Sequence, residues 1–371
     1  MSSYQRIVVK LGTNLLTAGS DRLNLETMAS LVGQIARLHK EGLGVVVVTS
    51  GAIAAGRHRL GVTKEQGELV SKQVLAAVGQ SRLMDAYDKL FGWHEIKIAQ
   101  TLLTRADLSD RLRYLNARNT LAALLELRVI PIVNENDVVA VEEIQEIVFG
   151  DNDNLSAMVA NLIDADLLML LTDTAGLYTA DPRLDPKAKL IERVDKINAS
   201  IEALAGGSSS GRGTGGMATK IQAAKLATAS GVAVVIANGR EADIIVRLAK
   251  GEAVGTFFKP VASKLESRKR WLLSQLSKGK LYVDDGAAAV LRKQNKSLLP
   301  AGITKIGGDF ERGDVVNIFD TATNEKIAYG ITNYSSGDIA VIKGAHSDKI
   351  AELLGYEYGA EVVHRDNLVV L

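Results

Sequence analysis

The sequence predicts an α/β unit built on a mainly parallel sheet, followed by a smaller all-β unit. Two observations predict it. Short β-branched apolar runs alternate with longer amphipathic stretches up to about residue 258, and the rhythm changes after a charged stretch at 264–270. Strands are expected at Ile7 to Leu11, Val45 to Thr49, Ile96 to Thr101, Val129 to Asn134, Leu167 to Thr172 and Val232 to Ala237, apolar runs of the kind that helices cover on both faces. Between them, Leu25, Met28, Leu31, Val32, Ile35 and Leu38 recur at three- and four-residue spacing, so Leu25 to His39 is a helix with one core-facing stripe. Arg111 to Leu127 follows the same period. From Gly279 onward, short alternating strands such as Val315 to Phe319 and Lys326 to Thr332 are separated by Gly-Asp and Gly-Gly turns, as in a small β-barrel. The expected organisation is one unit over 1–260, a linker over 261–277 and a second unit over 278–371.

Composition narrows the function. The 371 residues suffice for two or three domains, and 47% hydrophobic with 23% charged residues is ordinary for a globular protein. Lys+Arg 44 against Asp+Glu 43 provides no global field for nucleic acid or anionic lipid, so any polyanion site is local. With no cysteine, disulfide frameworks, thiolate zinc, iron-sulfur clusters and cysteine nucleophiles are excluded. No stretch of about 20 apolar residues predicts a membrane span. Ile7-Val8-Val9 lies so near Met1 that no secretion-signal apolar segment is expected, and a cytoplasmic location follows as the expectation. The skew of 34 glycines against 5 prolines suggests close backbone approaches, and hence phosphate loops.

Four loops are candidates. In Lys10-Leu11-Gly12-Thr13-Asn14 a buried strand delivers a lysine and a glycine turn to the carboxyl edge of the sheet, where open α/β sheets bind ligands. A lysine snorkelling from a strand end reads equally well from these five residues. Thr49-Ser50-Gly51-Ala52 follows another strand and opens a helix, which offers N–H groups to an anion or simply a serine cap. The run Gly211 to Lys220 contains G-x-G-x-x-G by letters, but Ser208-Ser209-Ser210 precedes it where a strand is needed, and Met217 stands where a Walker lysine would be. What remains is a glycine-rich loop leading into a helix that carries Lys220, or a surface linker. Leu171 to Arg183 is the fourth, a turn-rich connection able to hold a base and ribose.

Asn134-Glu135-Asn136-Asp137 and Asp151-Asn152-Asp153-Asn154 concentrate amides and carboxylates beyond what capping requires. An EF-hand is excluded, because positions six and twelve from Asp151 are Ser156 and Leu162. A small-molecule site reading an amino group and a carboxylate is the alternative.

Together these strings, KLGTN, TSGAIAAGR, LLTRAD, NEND, GDNDNLSA, LTDTAGLYTADPR and GTGGMATK, resemble the bacterial glutamate 5-kinases, a branch of the amino acid kinase family with a C-terminal PUA domain. Residues 297–314 resemble the PUA signature. The resemblance implies a three-layer αβα sandwich with a mainly parallel central sheet, and transfer of phosphate from ATP to the γ-carboxylate of L-glutamate, the first step of proline biosynthesis. It implies catalytic roles for Lys10, Asp153 and Lys220, and glutamate binding by Ser50, Gly51, Ala52, Asn134, Asp137, Asp151 and Asn152. Nucleotide binding is implied for Lys10, Gly12, Thr13, Thr172 and Asp173, and for Thr214, Gly215, Gly216, Met217, Ala218, Thr219 and Lys220. Mg2+ is expected on the ATP phosphates, with no protein-held metal; proline is the expected feedback inhibitor, and a dimer or tetramer the expected assembly. Asn14 stands where the family usually has serine.

The alternative is an RNA-associated PUA protein with a vestigial kinase half. Residues 276–371 hold 11 Lys+Arg against 13 Asp+Glu, which argues against a phosphate-binding face.

Overall fold

The computed structural model describes residues 4–62, 72–140, 152–206, 215–261, 263, 277–294 and 296–371. The chain divides into two units, one within Met1–Lys264 and the other comprising Arg111–Leu115 with Leu265–Leu371. The linker expected over 261–277 lies largely outside the described residues.

The first unit is built on eight strands: β1 (Arg6–Leu11), β2 (Gly44–Val48), β3 (Ile98–Leu103), β4 (Ile130–Glu135), β5 (Leu167–Thr172), β6 (Arg193–Val194), β7 (Ala233–Asn238) and β8 (Thr256–Phe258). They lie in the order β3-β4-β2-β1-β5-β7-β8-β6. Every pairing is parallel except β7 with β8. The six expected strands form within two residues of their expected bounds, and β6 and β8 are additional. At the edge, β3 departs from the expectation of covered strands: three of its residues are half-buried and two exposed, since only β4 flanks it.

Side-chain alternation along β1 assigns the two faces. Ile7, Val9 and Leu11 join one core cluster with helices α1 (Leu25–Lys40), α2 (Ala52–Leu60) and α3 (Lys72–Gly92). Val8 and Lys10 therefore face the opposite layer, which α4 (Asn152–Leu162) and α5 (Gly215–Ala229) supply. Each fully buried Val or Ile of β1 contributes about 1.5–3 kcal/mol relative to exposure. In α1 the stripe predicted from the sequence is buried except at its start, where Leu25 is 58% exposed. Asn24 caps that helix, its side chain accepting from the Thr27 N–H at 2.8 Å.

The helices α2 and α3 meet backbone to backbone. A Cβ on Gly56 would lie 1.9 Å from the Leu75 carbonyl oxygen, and one on Gly79 would lie 1.8 Å from the Ala52 oxygen. Farther along α3, the buried Tyr87 hydroxyl and the Thr49 hydroxyl share a 2.7 Å hydrogen bond at the end of β2. Two contacts thus tie α3 to the segment that leads from β2 into α2.

In the second unit, β9 (Gly279–Val283), β10 (Ile303–Gly307), β11 (Val315–Asp320), β12 (Lys326–Ile331) and β13 (Leu368–Val370) form a sheet in the order β10-β9-β11-β12-β13. Leu281, Val283, Phe310, Val316 and Ile318 fill its core, and the helix Ser336–Ile342 begins with a reciprocal capping box between Ser335 and Asp338. Among the described residues no helix is long and apolar enough to cross a membrane.

The glycine pair yields a stability prediction. Gly79→Ala must push the two helices apart, at a cost of about 1–3 kcal/mol for an overpacked contact. A urea titration is expected to show a lower midpoint with little change in slope, and a midpoint equal to the parent's would mean that the helices are not in such close contact.

Candidate active site

The chain leaves β1 toward β2 on one side and later continues from β5 on the other, so a topological switch point lies at the carboxyl ends of these strands. Lys10 is the penultimate residue of β1, opposite Val48 and Leu170. It is 6% exposed, because the α4 layer covers that face. Its ammonium lies 2.5 Å from Asp153 Oδ1, and the other oxygen of the same carboxylate is 3.0 Å from Lys220 Nζ. The Thr219 hydroxyl donates to that second oxygen at 2.8 Å, and Lys220 Nζ also donates to the Gly216 carbonyl at 2.9 Å. Asp153 lies in the first turn of α4, and Lys220 lies in the second turn of α5.

Two ammonium groups on one carboxylate leave a net positive charge in a buried place. Burial by itself would raise the Asp153 carboxyl, but Lys10 and Lys220, then the hydrogen bonds from Lys10 and Thr219, hold it below the ordinary carboxylate range. The three side chains together carry one net positive charge, which suits the neighbourhood of an anion. Gly12 borders this space, for a Cβ there would lie 3.7 Å from Lys10 Nζ.

The residue before Asp153 leads the other way. Asn152 Nδ2 donates to Ser50 Oγ at 3.0 Å and to Asn134 Oδ1 at 3.2 Å, while Asn134 Nδ2 donates to Gln80 Oε1 at 2.8 Å. Asn134 is the penultimate residue of β4, Ser50 follows β2 and Asn152 begins α4, so two strand ends and one helix terminus converge. Gly51 adopts φ +100°, a left-handed conformation that glycine permits, and thereby turns the chain into α2. Asp137 sits in the turn after β4, half-buried, with no hydrogen bond or ion pair among the described residues. Burial pushes its carboxyl up.

Of the residues singled out from the sequence, Lys10, Asp153, Thr219 and Lys220 meet in one cluster and Ser50, Asn134 and Asn152 in the adjoining one. Thr172 ends β5, and its hydroxyl donates to Asp173 Oδ1 at 3.1 Å. Asn14 Nδ2 donates to the other Asp173 oxygen at 3.5 Å, a polar contact between the segments that follow β1 and β5. Thr13 is exposed, and Gly216 to Ala218 occupy the first turn of α5. Asp151 and Thr214 lie outside the described residues. Gln80 was not singled out; it is one polar residue in a long helix, and only the packing of α3 brings it to Asn134.

Residues 5–238 match the amino acid kinase family, and residues 279–354 match the PUA domain. The chain belongs to the amino acid kinase family. It is 56% identical over 369 residues to the glutamate 5-kinase of Dehalococcoides mccartyi strain CBDB1, covering 99% of each chain. With the glutamate 5-kinase of Pasteurella multocida strain Pm70 it shares 53% identity over 371 residues, the full length of both. That of Herpetosiphon aurantiacus is 53% identical, over 99% of this chain and 98% of its own. The similarity to glutamate 5-kinases therefore extends through both units.

Removal of Asp153 tests the cluster. Asp153→Ala leaves two buried ammonium groups without their carboxylate, which is expected to cost about 3–5 kcal/mol in chemical denaturation. The native carboxyl is lowered, so its contribution is present above the unfolded-state value and disappears as pH falls through the folded one. The stability difference between the native protein and the variant should therefore shrink in acid, and a difference independent of pH would contradict the assigned pairing.

Proposed function

We propose that this protein catalyses the ATP-dependent phosphorylation of the γ-carboxylate of L-glutamate, giving L-glutamyl 5-phosphate and ADP. The observation that carries the proposal is the buried, net-positive Lys10–Asp153–Lys220 cluster, which adjoins an amide-lined region one residue away in sequence. Full-length similarity to glutamate 5-kinases supports the same substrate.

The reaction places few demands on proton chemistry. The γ-carboxylate is ionised at neutral pH, so its oxygen attacks the terminal phosphorus of ATP without a general base, and the bond to the ADP oxygen breaks. Charge then spreads over the equatorial oxygens of the migrating group. Lys10 and Lys220 supply fixed cations there, and Asp153 keeps their heads together against mutual repulsion. Ser50, Gly51, Ala52, Asn134, Asp137 and Asn152 hold glutamate in this reading. Asp137, half-buried and without a cation of its own, is the partner for the α-ammonium. Gly12, Thr13, Thr172, Asp173 and the start of α5 border the nucleotide.

Mg2+ enters as part of the MgATP substrate. Among the described residues no three acidic or histidine side chains converge to form a protein-held metal site, and no step above runs through the ion. Proline as feedback inhibitor and a dimeric or tetrameric assembly belong to the same reading. The RNA-associated alternative finds less support, because the lysine pair and its carboxylate are intact and the relatives that match both units are kinases.

Lys10→Ala and Lys220→Ala are each expected to lower kcat by about 10²-fold or more, in line with loss of a positioned charge at a developing anion. Initial rates with hydroxylamine trapping of the acyl phosphate measure this, and near-normal kcat in folded variants would refute the roles. Asp137→Asn is expected to raise chiefly the glutamate KM. Because burial raises the Asp137 carboxyl, the ionised form that pairs with an ammonium is lost sooner as pH falls than for an ordinary carboxylate, so the native glutamate KM should climb as the solution is acidified from neutral pH. The climb should be flatter in Asp137→Asn; equal slopes would remove Asp137 from the ammonium site.

A further inference from the structure

We propose that Gln80 is a positioning residue that sets the donor and acceptor polarity of the glutamate-binding amides. The inference rests on the substrate reading above and goes beyond it, since Gln80 is outside the residues that the sequence strings single out.

A side-chain amide has one acceptor end and one donor end, and rotation by half a turn exchanges them with little change of shape. In a chain of amides, each orientation is fixed by its neighbour. Here the chain runs from Gln80 through Asn134 to Asn152. Gln80 Oε1 accepts from Asn134 Nδ2, which directs Asn134 Oδ1 toward Asn152 Nδ2. Asn152 Nδ2 is then committed to Asn134 and to Ser50 Oγ, and Asn152 Oδ1 is left buried without a hydrogen-bond partner. An unmet buried acceptor is costly, and a site that retains one is built for a donor that arrives with the ligand. The α-ammonium of glutamate is such a donor.

If Asn134 were free to turn over, its NH2 would face the Asn152 NH2, and Asn152 would be driven to present a donor where an acceptor is needed. The ammonium would then meet a like dipole. Gln80 opposes this by its place and its one bond: its helix is held where Gly79 lies against the Ala52 carbonyl and where Tyr87 is hydrogen-bonded to Thr49, its Oε1 is the end that meets Asn134, and its Nε2 is buried without a hydrogen-bond partner. The helix that carries Gln80 is thus anchored to the segment that carries Ser50. The arrangement predicts an effect on glutamate binding alone, since Gln80 bonds to the Asn134 amide, whereas the two lysines meet on Asp153.

The test measures steady-state KM for L-glutamate and for ATP, with kcat, in the full-length protein. Gln80→Leu removes both ends of the amide and is expected to raise the glutamate KM about tenfold, with kcat and the ATP KM within about twofold of native. Gln80→Glu retains an acceptor for Asn134 Nδ2 and should restore most of the affinity; a rise as large as that of Gln80→Leu would overturn the proposal, including in the event that the leucine variant does not fold. In an Asn134→Ala background, adding Gln80→Leu should alter the glutamate KM by less than about twofold, because the effect passes through Asn134. Multiplying effects in that cycle, or an unchanged KM in Gln80→Leu, would also overturn it. Asn152→Ala separates this from the substrate reading. If Asn152→Ala leaves the glutamate KM unchanged, the substrate assignment itself fails; if it raises the KM while Gln80→Leu does not, only the role of Gln80 fails.

Discussion

The first unit is organised around a carboxylate shared by two lysines. Asp153 is 4% exposed, and its oxygens take Lys10 from a strand and Lys220 from a helix. Each element converging there is constrained by that bridge: β1 must end with its lysine on the α4 face, and α5 must begin where its second turn reaches the first turn of α4. Two ammonium groups this close repel strongly in a poorly solvated site, and the carboxylate between them makes the arrangement tenable. It neutralises one of the two charges. In the proposed reaction the same three side chains that meet the folding requirement also face the migrating anion.

The parallel sheet explains why such a site forms at one edge. Strands of like direction deliver their carboxyl ends together, and the strand order reverses beside β1, the place where open α/β sheets bind ligands. Ser50, Asn134 and Thr172 reach that edge from three different strands. The backbone approach of α2 and α3 through Gly56 and Gly79 keeps the α2 start and Gln80 in one rigid piece.

Much of this was legible in the sequence. The apolar runs located β1, β2, β4, β5 and β7 because buried parallel strands are apolar on both faces, and the three- and four-residue spacing located α1. Local periodicity did not disclose β6, two residues long, or β8, three residues long, because elements that short have no period to detect. The edge position of β3 was equally hidden, since strand order is a property of the whole sheet. At the site, residue types and loop positions singled out Lys10, Asn152, Asp153 and Lys220, whereas the pairing of the lysines through Asp153 is a matter of packing. Gln80 lay beyond sequence reasoning: a glutamine in a mid-helix position carries no signal until the partner of its amide is known.

Asn152 and Asp153 are consecutive, one turned to the amides and the other to the lysines. The spacing between those two halves is therefore fixed by covalent geometry, at about 3.8 Å from Cα to Cα, and not by noncovalent packing. Breathing of the sheet can tilt this dipeptide but cannot stretch it. A link of that kind keeps the amide half and the lysine half of the site in sequence register, and it leaves no room for an inserted or deleted residue between the two.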